Sequence, residues 1–153
     1  MYKRIFVPVD GSTYSRKALI EATKIAQLTN ATIYLCTIVT TDVIVPPGSL
    51  LGLVKSASKG QLQKRLLSVA KTNAEKLLKS YSRYCASKNV TAYYKIIVNG
   101  NIADEILKSA KSRSASLIVI GSQGLHGISR IKSLGSVSRK VSELAHCPVM
   151  IVR

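Results

Sequence analysis

Acid is what this chain lacks most. Seven Asp and Glu face 23 Lys and Arg across 153 residues, a formal net charge of +16. The acids are scattered singly and the two histidines, His126 and His146, lie far apart, so no metal cage of protein ligands is expected. Cysteine is nearly absent too. Cys36, Cys85 and Cys147 are odd in number and show no CxxC spacing, which argues against a disulfide framework or a zinc site and fits buried thiols in a reducing compartment. There is no Trp and a single Phe, a poor stock of aromatics for a nucleic-acid surface. No apolar run approaches the roughly 18 residues that a membrane-spanning helix needs. "MYKRIFVPVD" enters a strand pattern at once, without the apolar core of a signal peptide. The expectation is a soluble, cytoplasmic chain forming one domain over residues 1–153, long enough for a proper core.

Strand-like and helix-like segments alternate along the chain. "RIFVPV" (residues 4–9) is short and β-branched and stops at Asp10-Gly11-Ser12. Ala18, Ala22, Ile25 and Ala26 then recur at helical spacing from Thr13 to about Thr29, with Asn30 as the stop. "ATIYLCTIV" (31–39) is a near-continuous apolar run, the pattern of a strand covered on both faces. Residues 40–58 carry two prolines and two glycines and read as a long loop or flap. A long helix follows, with Leu62, Leu66, Val69, Ala70, Leu77, Tyr81 and Tyr84 along one face and Lys64, Lys71, Lys79 and Arg83 opposite. "VTAYYKIIV" (90–98), a turn at Asn99-Gly100-Asn101, and a helix marked by Ile102, Ile106, Leu107 and Ala110 come next. Asp104 and Glu105 sit in that helix's first turn, where they complement its dipole. "ASLIVIG" (115–121), a helix from about Ser136 to Ala145, and "CPVMIVR" (147–153) complete the series. Five strands alternating with helices predict an α/β fold: an open, parallel five-stranded sheet, order 3-2-1-4-5, with helices on both faces and right-handed crossovers.

In such a sheet ligands bind beyond the carboxyl ends of the strands, where the strand order reverses. That switch point falls between the first and fourth strands, so Asp10 and Gly121 should face each other across one crevice. "GSQGLHGISRIKSLGSVS" (121–138) begins there and contains no acid. Gly121 and Gly124 can take positive φ and let an anion approach the backbone. Ser136 is placed to cap the last helix, whose free N–H groups and dipole favour phosphate. The Ser136 and Ser138 hydroxyls, Arg130 and Lys132 can assist. Asp10 either closes its own turn or meets a ligand.

These residues resemble the universal stress protein family over nearly the whole chain. "IFVPVDGS", "NGNIADEIL…SLIVIGSQG" and "LGSVSRKVSELAHCPVMIVR" are similar to the family's first strand, its third helix with fourth strand, and its C-terminal signature. The family's ATP-binding branch carries Gly-x2-Gly-x9-Gly-Ser/Thr. Here Gly121-x2-Gly124 is intact and ten residues separate Gly124 from Gly135-Ser136, one more than the pattern. Ser116 stands where the family usually has Asp, at a position that reads as structural. The resemblance implies the adenine nucleotide alpha hydrolase-like, Rossmann-like fold and an ATP site, with AMP and ADP as alternative ligands. Pro8, Val9 and Asp10 would line the adenosine end, and Ile38 would pack on the base. Ile120 and Gly121 would meet the ribose side. Ser122, Gly124, Gly135, Ser136, Val137 and Ser138 would complete the phosphate loop. Magnesium or manganese would be carried on the phosphates. The resemblance also implies a homodimer through the last strand, Pro148–Arg153, which as a bare apolar edge invites pairing on physical grounds as well.

No catalytic set is evident. "GSQG" is no GxSxG elbow and no Walker A lysine is present, so hydrolysis would be weak or need a partner's charged group. The leading expectation is an ATP-binding stress-response protein acting as a nucleotide-dependent sensor or regulatory binding module. The alternative is a nucleic-acid or acidic-surface binder using the Lys55–Lys95 region, where ten basic residues face only Glu75. A third reading, cleavage of ATP to AMP and pyrophosphate, lacks a convincing motif in "VDGSTYSRKAL".

Overall fold

A computed structural model describes residues 1–40, 56–98, 100–125 and 133–153. The expected 40–58 loop (beyond Thr40 and before the helix), Asn99, Arg130, Lys132 and most of the lengthened glycine loop lie outside the described residues.

The elements run β1 (Arg4–Pro8), α1 (Thr13–Thr29), β2 (Thr32–Val39), α2 (Ser56–Ser87), β3 (Ala92–Val98), α3 (Ile102–Ser112), β4 (Leu117–Gly121), α4 (Ser136–Leu144) and β5 (Val149–Val152). All strand pairs are parallel and the order is β3-β2-β1-β4-β5. This is the order expected from the alternating pattern. Each crossover helix buries an apolar stripe, and the strands bury side chains on both faces. Ile5, Val7, Ile33, Leu35 and Val119 join α1 and α2 in one core; Phe6, Ile118 and Ile120 join α3 and α4 in the other. Each such fully buried aliphatic or Phe side chain contributes about 1.5–3 kcal/mol.

Local signals set the helix ends. Ser12 caps α1 by accepting from the Ser15 N–H at 3.1 Å, and Asn30 ends it in the left-handed region at φ 52°. Asn101 caps α3 by accepting from the Asp104 N–H at 3.2 Å. The Asp104 carboxylate lies 2.8 Å from Lys140 Nζ and so also ties α3 to α4. Ser116 stitches the starts of β1 and β4: its Oγ accepts from the Lys3 and Arg4 N–H groups and donates to the Arg4 carbonyl. One hydroxyl therefore satisfies three backbone groups.

The expected face of α2 needs correcting. Val69 is 58% exposed, and the fully buried positions are Ala74, Leu78 and Cys85, with Leu77, Tyr81 and Tyr84 half-buried beside them. A 32-residue helix is about 48 Å long at 1.5 Å per residue. A strand of seven residues such as β3 spans less than half of that. Only the C-terminal part of α2 is therefore pressed into the core, and the apolar stripe further up has less to lie against. Lys64, Lys71, Lys79 and Arg83 are exposed, and Lys79 pairs with Glu75 at 3.3 Å. Cys36 and Cys85 are buried as expected, whereas Cys147 is only half-buried. Among the described residues no helix is long and apolar enough to cross a membrane.

Candidate functional site

The carboxyl ends of β1 and β4 open into a cleft of about 370 Å³ at the switch point. Eleven of the twelve residues expected there line it: Pro8, Val9, Asp10, Ile38, Ile120, Gly121, Gly124, Gly135, Ser136, Val137 and Ser138. Ser122 does not. It lies buried beneath the loop, where its carbonyl accepts from the Gly135 N–H and the Ser138 hydroxyl, both at 2.8 Å, and its own N–H reaches the Val152 carbonyl. It is the tie that brings the start of α4 back to the end of β4.

The cleft lining is chemically of two kinds. One is apolar: Val9, Ile38, Ile102, Ile106 and Ile120, with Cys36. Burial pushes the Cys36 thiol up to about 12, so it is a neutral, apolar wall at physiological pH. The other kind is Gly124 with Gly135 and Ser136, the last two at the beginning of α4. Two details there differ from the sequence expectation. The N-cap is Gly135 rather than Ser136, and no side chain caps the helix. The Ser138 hydroxyl is buried and donates to the Ser122 and Gly135 carbonyls, so it shapes the loop and is not a free donor. What faces the cleft is the first turn of α4, whose opening N–H groups have no carbonyl four residues back to bond.

The glycines also act differently from expectation. Neither Gly121 nor Gly124 has positive φ; Gly11, at 85°, does. Their role is close approach. A Cβ on Gly121 would lie 2.7 Å from the Tyr14 carbonyl carbon and 2.8 Å from the Ser15 nitrogen, so only Gly lets β4 end against the start of α1. A Cβ on Gly124 would lie 2.8 Å from Asp10 Oδ2. Asp10 joins the two junctions: Oδ1 accepts from the Ser12 N–H at 2.9 Å, and Oδ2 accepts from the Leu125 N–H at 3.0 Å. It closes its own turn, as one reading of the sequence had it, and holds the glycine loop too. The Ser12 hydroxyl adds a long contact of 3.5 Å to the Gln123 carbonyl.

The model of the universal stress protein family matches the chain over residues 1–153. The chain belongs to the universal stress protein family. Among curated members, Universal stress protein YxiE of Bacillus subtilis (strain 168) is 37% identical over 153 residues, covering 100% of both chains. Among solved structures, UspA of Lactobacillus plantarum superposes with a TM-score of 0.83 at 25% identity, over 99% of this chain and 98% of that one. A universal stress protein of Archaeoglobus fulgidus in complex with dAMP matches with a TM-score of 0.65 at 23% identity, over 99% and 98% of the two chains.

Ser15, Cys36, Ile102, Ile106 and Gln123 line the cleft without having been singled out as site residues. Ile102 and Ile106 were legible as the apolar stripe of a helix, spaced one turn apart. That the same stripe forms a wall of the cleft depends on where the helix after β3 lies on the sheet.

Proposed function

We propose that this universal stress protein binds an adenine nucleotide, ATP foremost, in the cleft at the switch point and acts as a nucleotide-dependent sensor or regulatory binding module. The observation that carries the reading is that one cleft is lined both by an apolar set and by an uncapped helix start. Val9, Ile38 and the α3 isoleucines suit an adenine ring, and an α4 N-terminus with no side-chain cap suits phosphates. The Archaeoglobus fulgidus relative, which holds dAMP, supports the ligand class. Pro8, Val9 and Asp10 serve the adenosine end, Ile120 and Gly121 the ribose side, and Gly124, Gly135, Ser136 and Val137 the phosphates. Ser122 and Ser138 hold the loop in shape. The Asp10 carboxylate already accepts hydrogen bonds on both oxygens, which favours a magnesium or manganese ion carried on the phosphates over one bound by this residue. Hydrolysis is slow, since the one carboxylate among the described cleft residues, Asp10, already accepts hydrogen bonds on both oxygens. The working unit is a cytoplasmic homodimer: β5 is an edge strand with Met150 exposed, and a twofold pairing would cover it.

Protein purified without added nucleotide and then denatured is expected to release near-stoichiometric adenine nucleotide, identified by anion exchange with mass detection. The stripped protein should bind Mg-ATP saturably, and Gly124→Val, which drives a side chain into Asp10, should abolish that binding. Absence of both nucleotide and binding would refute the reading.

A further inference from the structure

A second surface lies at the other end of the sheet, on the β3 edge. Tyr34 in β2 and Tyr93 in β3 are register partners, so their side chains leave the same sheet face. Their rings stack with centroids 5.7 Å apart and planes 27° from parallel. The Arg113 guanidinium, at the C-cap of α3, lies 5.4 Å from the centroid of Tyr34. Tyr93, on the outermost strand, is 58% exposed. Beside the pair is a cleft of about 150 Å³ whose lining includes Lys95, Ser109 and Ser112 and no acid. Arg4 comes close to the same corner, its Nε donating to the Ser114 carbonyl. The cleft is distinct from the nucleotide cleft; among the lining residues the two share only the buried Cys36.

We propose that this surface binds single-stranded nucleic acid, with Tyr93 as a stacking platform for one base and Lys95 and Arg113 as contacts for the flanking phosphates. Three features converge on that occupant. An exposed aromatic on a sheet face, backed by a second ring and a guanidinium, is rigid and presents a π-face that any base can cover. The cations beside it are unopposed by acid in the cleft lining, in a chain of net charge +16. Ser109 offers a hydroxyl to sugar or phosphate, while the Ser112 hydroxyl donates to the Ser109 carbonyl at 2.9 Å. Stacking needs an unpaired base, so a duplex, whose bases already stack on each other, gains only the charge attraction. The proposal does not rest on ATP binding; it takes Tyr93 and Lys95 from the Lys55–Lys95 region, joins them to Tyr34 and Arg113 outside it, and lies on the sheet face rather than on α2.

The test is fluorescence anisotropy with a labelled oligoadenylate strand of about 12 nucleotides, within the site sizes of single-strand binders. A duplex of equal length serves as comparison, at about 50 and about 200 mM salt and with and without saturating Mg-ATP. The single strand is expected to bind more tightly than the duplex, and Mg-ATP should leave that preference unchanged. Tyr93→Ala should weaken single-strand binding roughly tenfold, the scale of one lost base stack, and leave duplex binding unmoved. Tyr93→Phe should restore it. Arg113→Gln should lower the salt slope by about 0.7, as for one lost phosphate contact. Equal affinity for strand and duplex, or full single-strand binding by a folded Tyr93→Ala protein, would overturn the proposal. So would retention on vesicles of acidic phospholipid with no oligonucleotide binding.

Discussion

Helices α1 and α4 both begin at the same crevice, yet their first turns are finished in opposite ways. At α1, Ser12 supplies a side-chain cap, Asp10 closes the turn, and Ser15 Oγ bonds back to the Ser12 carbonyl. At α4, the cap is a glycine with no side chain, and its one N–H is held by Ser122. The first junction is satisfied internally and serves as scaffold. The second has no side-chain cap, and its first turn lines the cleft, where the proposed site would take an anion. Two glycine-and-serine turns of similar composition thus have different work, and the difference is a single side-chain oxygen at the N-cap.

The contrast can be broken most severely where the junctions touch. Gly121→Ala places a methyl 2.7 Å from the α1 backbone and should cost about 1–3 kcal/mol through overpacking, read as a lowered midpoint in denaturant. A substitution that leaves the midpoint unchanged would mean the two elements do not meet as described. Next, Gly135→Asp would give α4 the kind of cap that α1 has. A new carboxylate near a bound phosphate costs about 4 kcal/mol at 4 Å and an effective dielectric of 20, so Mg-ATP affinity should fall at least tenfold. Calorimetric titration measures this, while the melting point should change little, because the gain of a cap is offset by a Cβ lying 3.3 Å from the Ser122 carbonyl oxygen. Conversely, Ser12→Ala should cost about 1 kcal/mol of stability and leave nucleotide affinity nearly intact, since its oxygen caps α1 and reaches the Gln123 carbonyl only at 3.5 Å. A large loss of ATP affinity in that variant would erase the distinction between the two turns.

The smallest effect concerns the apolar end of the cleft. Burial holds the Cys36 thiol up at about 12, from 9.0. Its folded-state value is raised, so its contribution is fully present below pH 9, where the unfolded thiol is still protonated, and is lost as pH rises from there toward 12. Stability should decline above pH 9, and Cys36→Ala should make that decline shallower by at most about 1.4 kcal/mol per pH unit, a difference seen in denaturant titrations at several pH values.

Much of this was legible in the residues because it depends on short-range chemistry. The span of α1 follows from Ser12 and Asn30, each of which satisfies or relaxes the backbone within a few residues. The strand order follows from the alternation of buried runs with amphipathic helices. Three things were not legible, each for a spatial reason. Val69 fits the α2 stripe but lies where the helix is not pressed into the core. Gly121 and Gly124 looked like turn glycines, and their real neighbours, Tyr14, Ser15 and Asp10, are more than a hundred residues away in the chain. Tyr34 and Tyr93 carry no visible relation until β2 and β3 pair in register.

By itself, the sequence determined the parallel α/β sheet, the kinship with universal stress proteins and the crevice where Asp10 and Gly121 meet, because periodicity, caps and motif spacing act locally along the chain. Tertiary structure alone decided which glycine-serine turn keeps open amides, that Ser122 and Ser138 brace the loop, and that two tyrosines and an arginine form one surface. Those are relations between atoms distant in sequence, and only packing brings them within hydrogen-bond or stacking range.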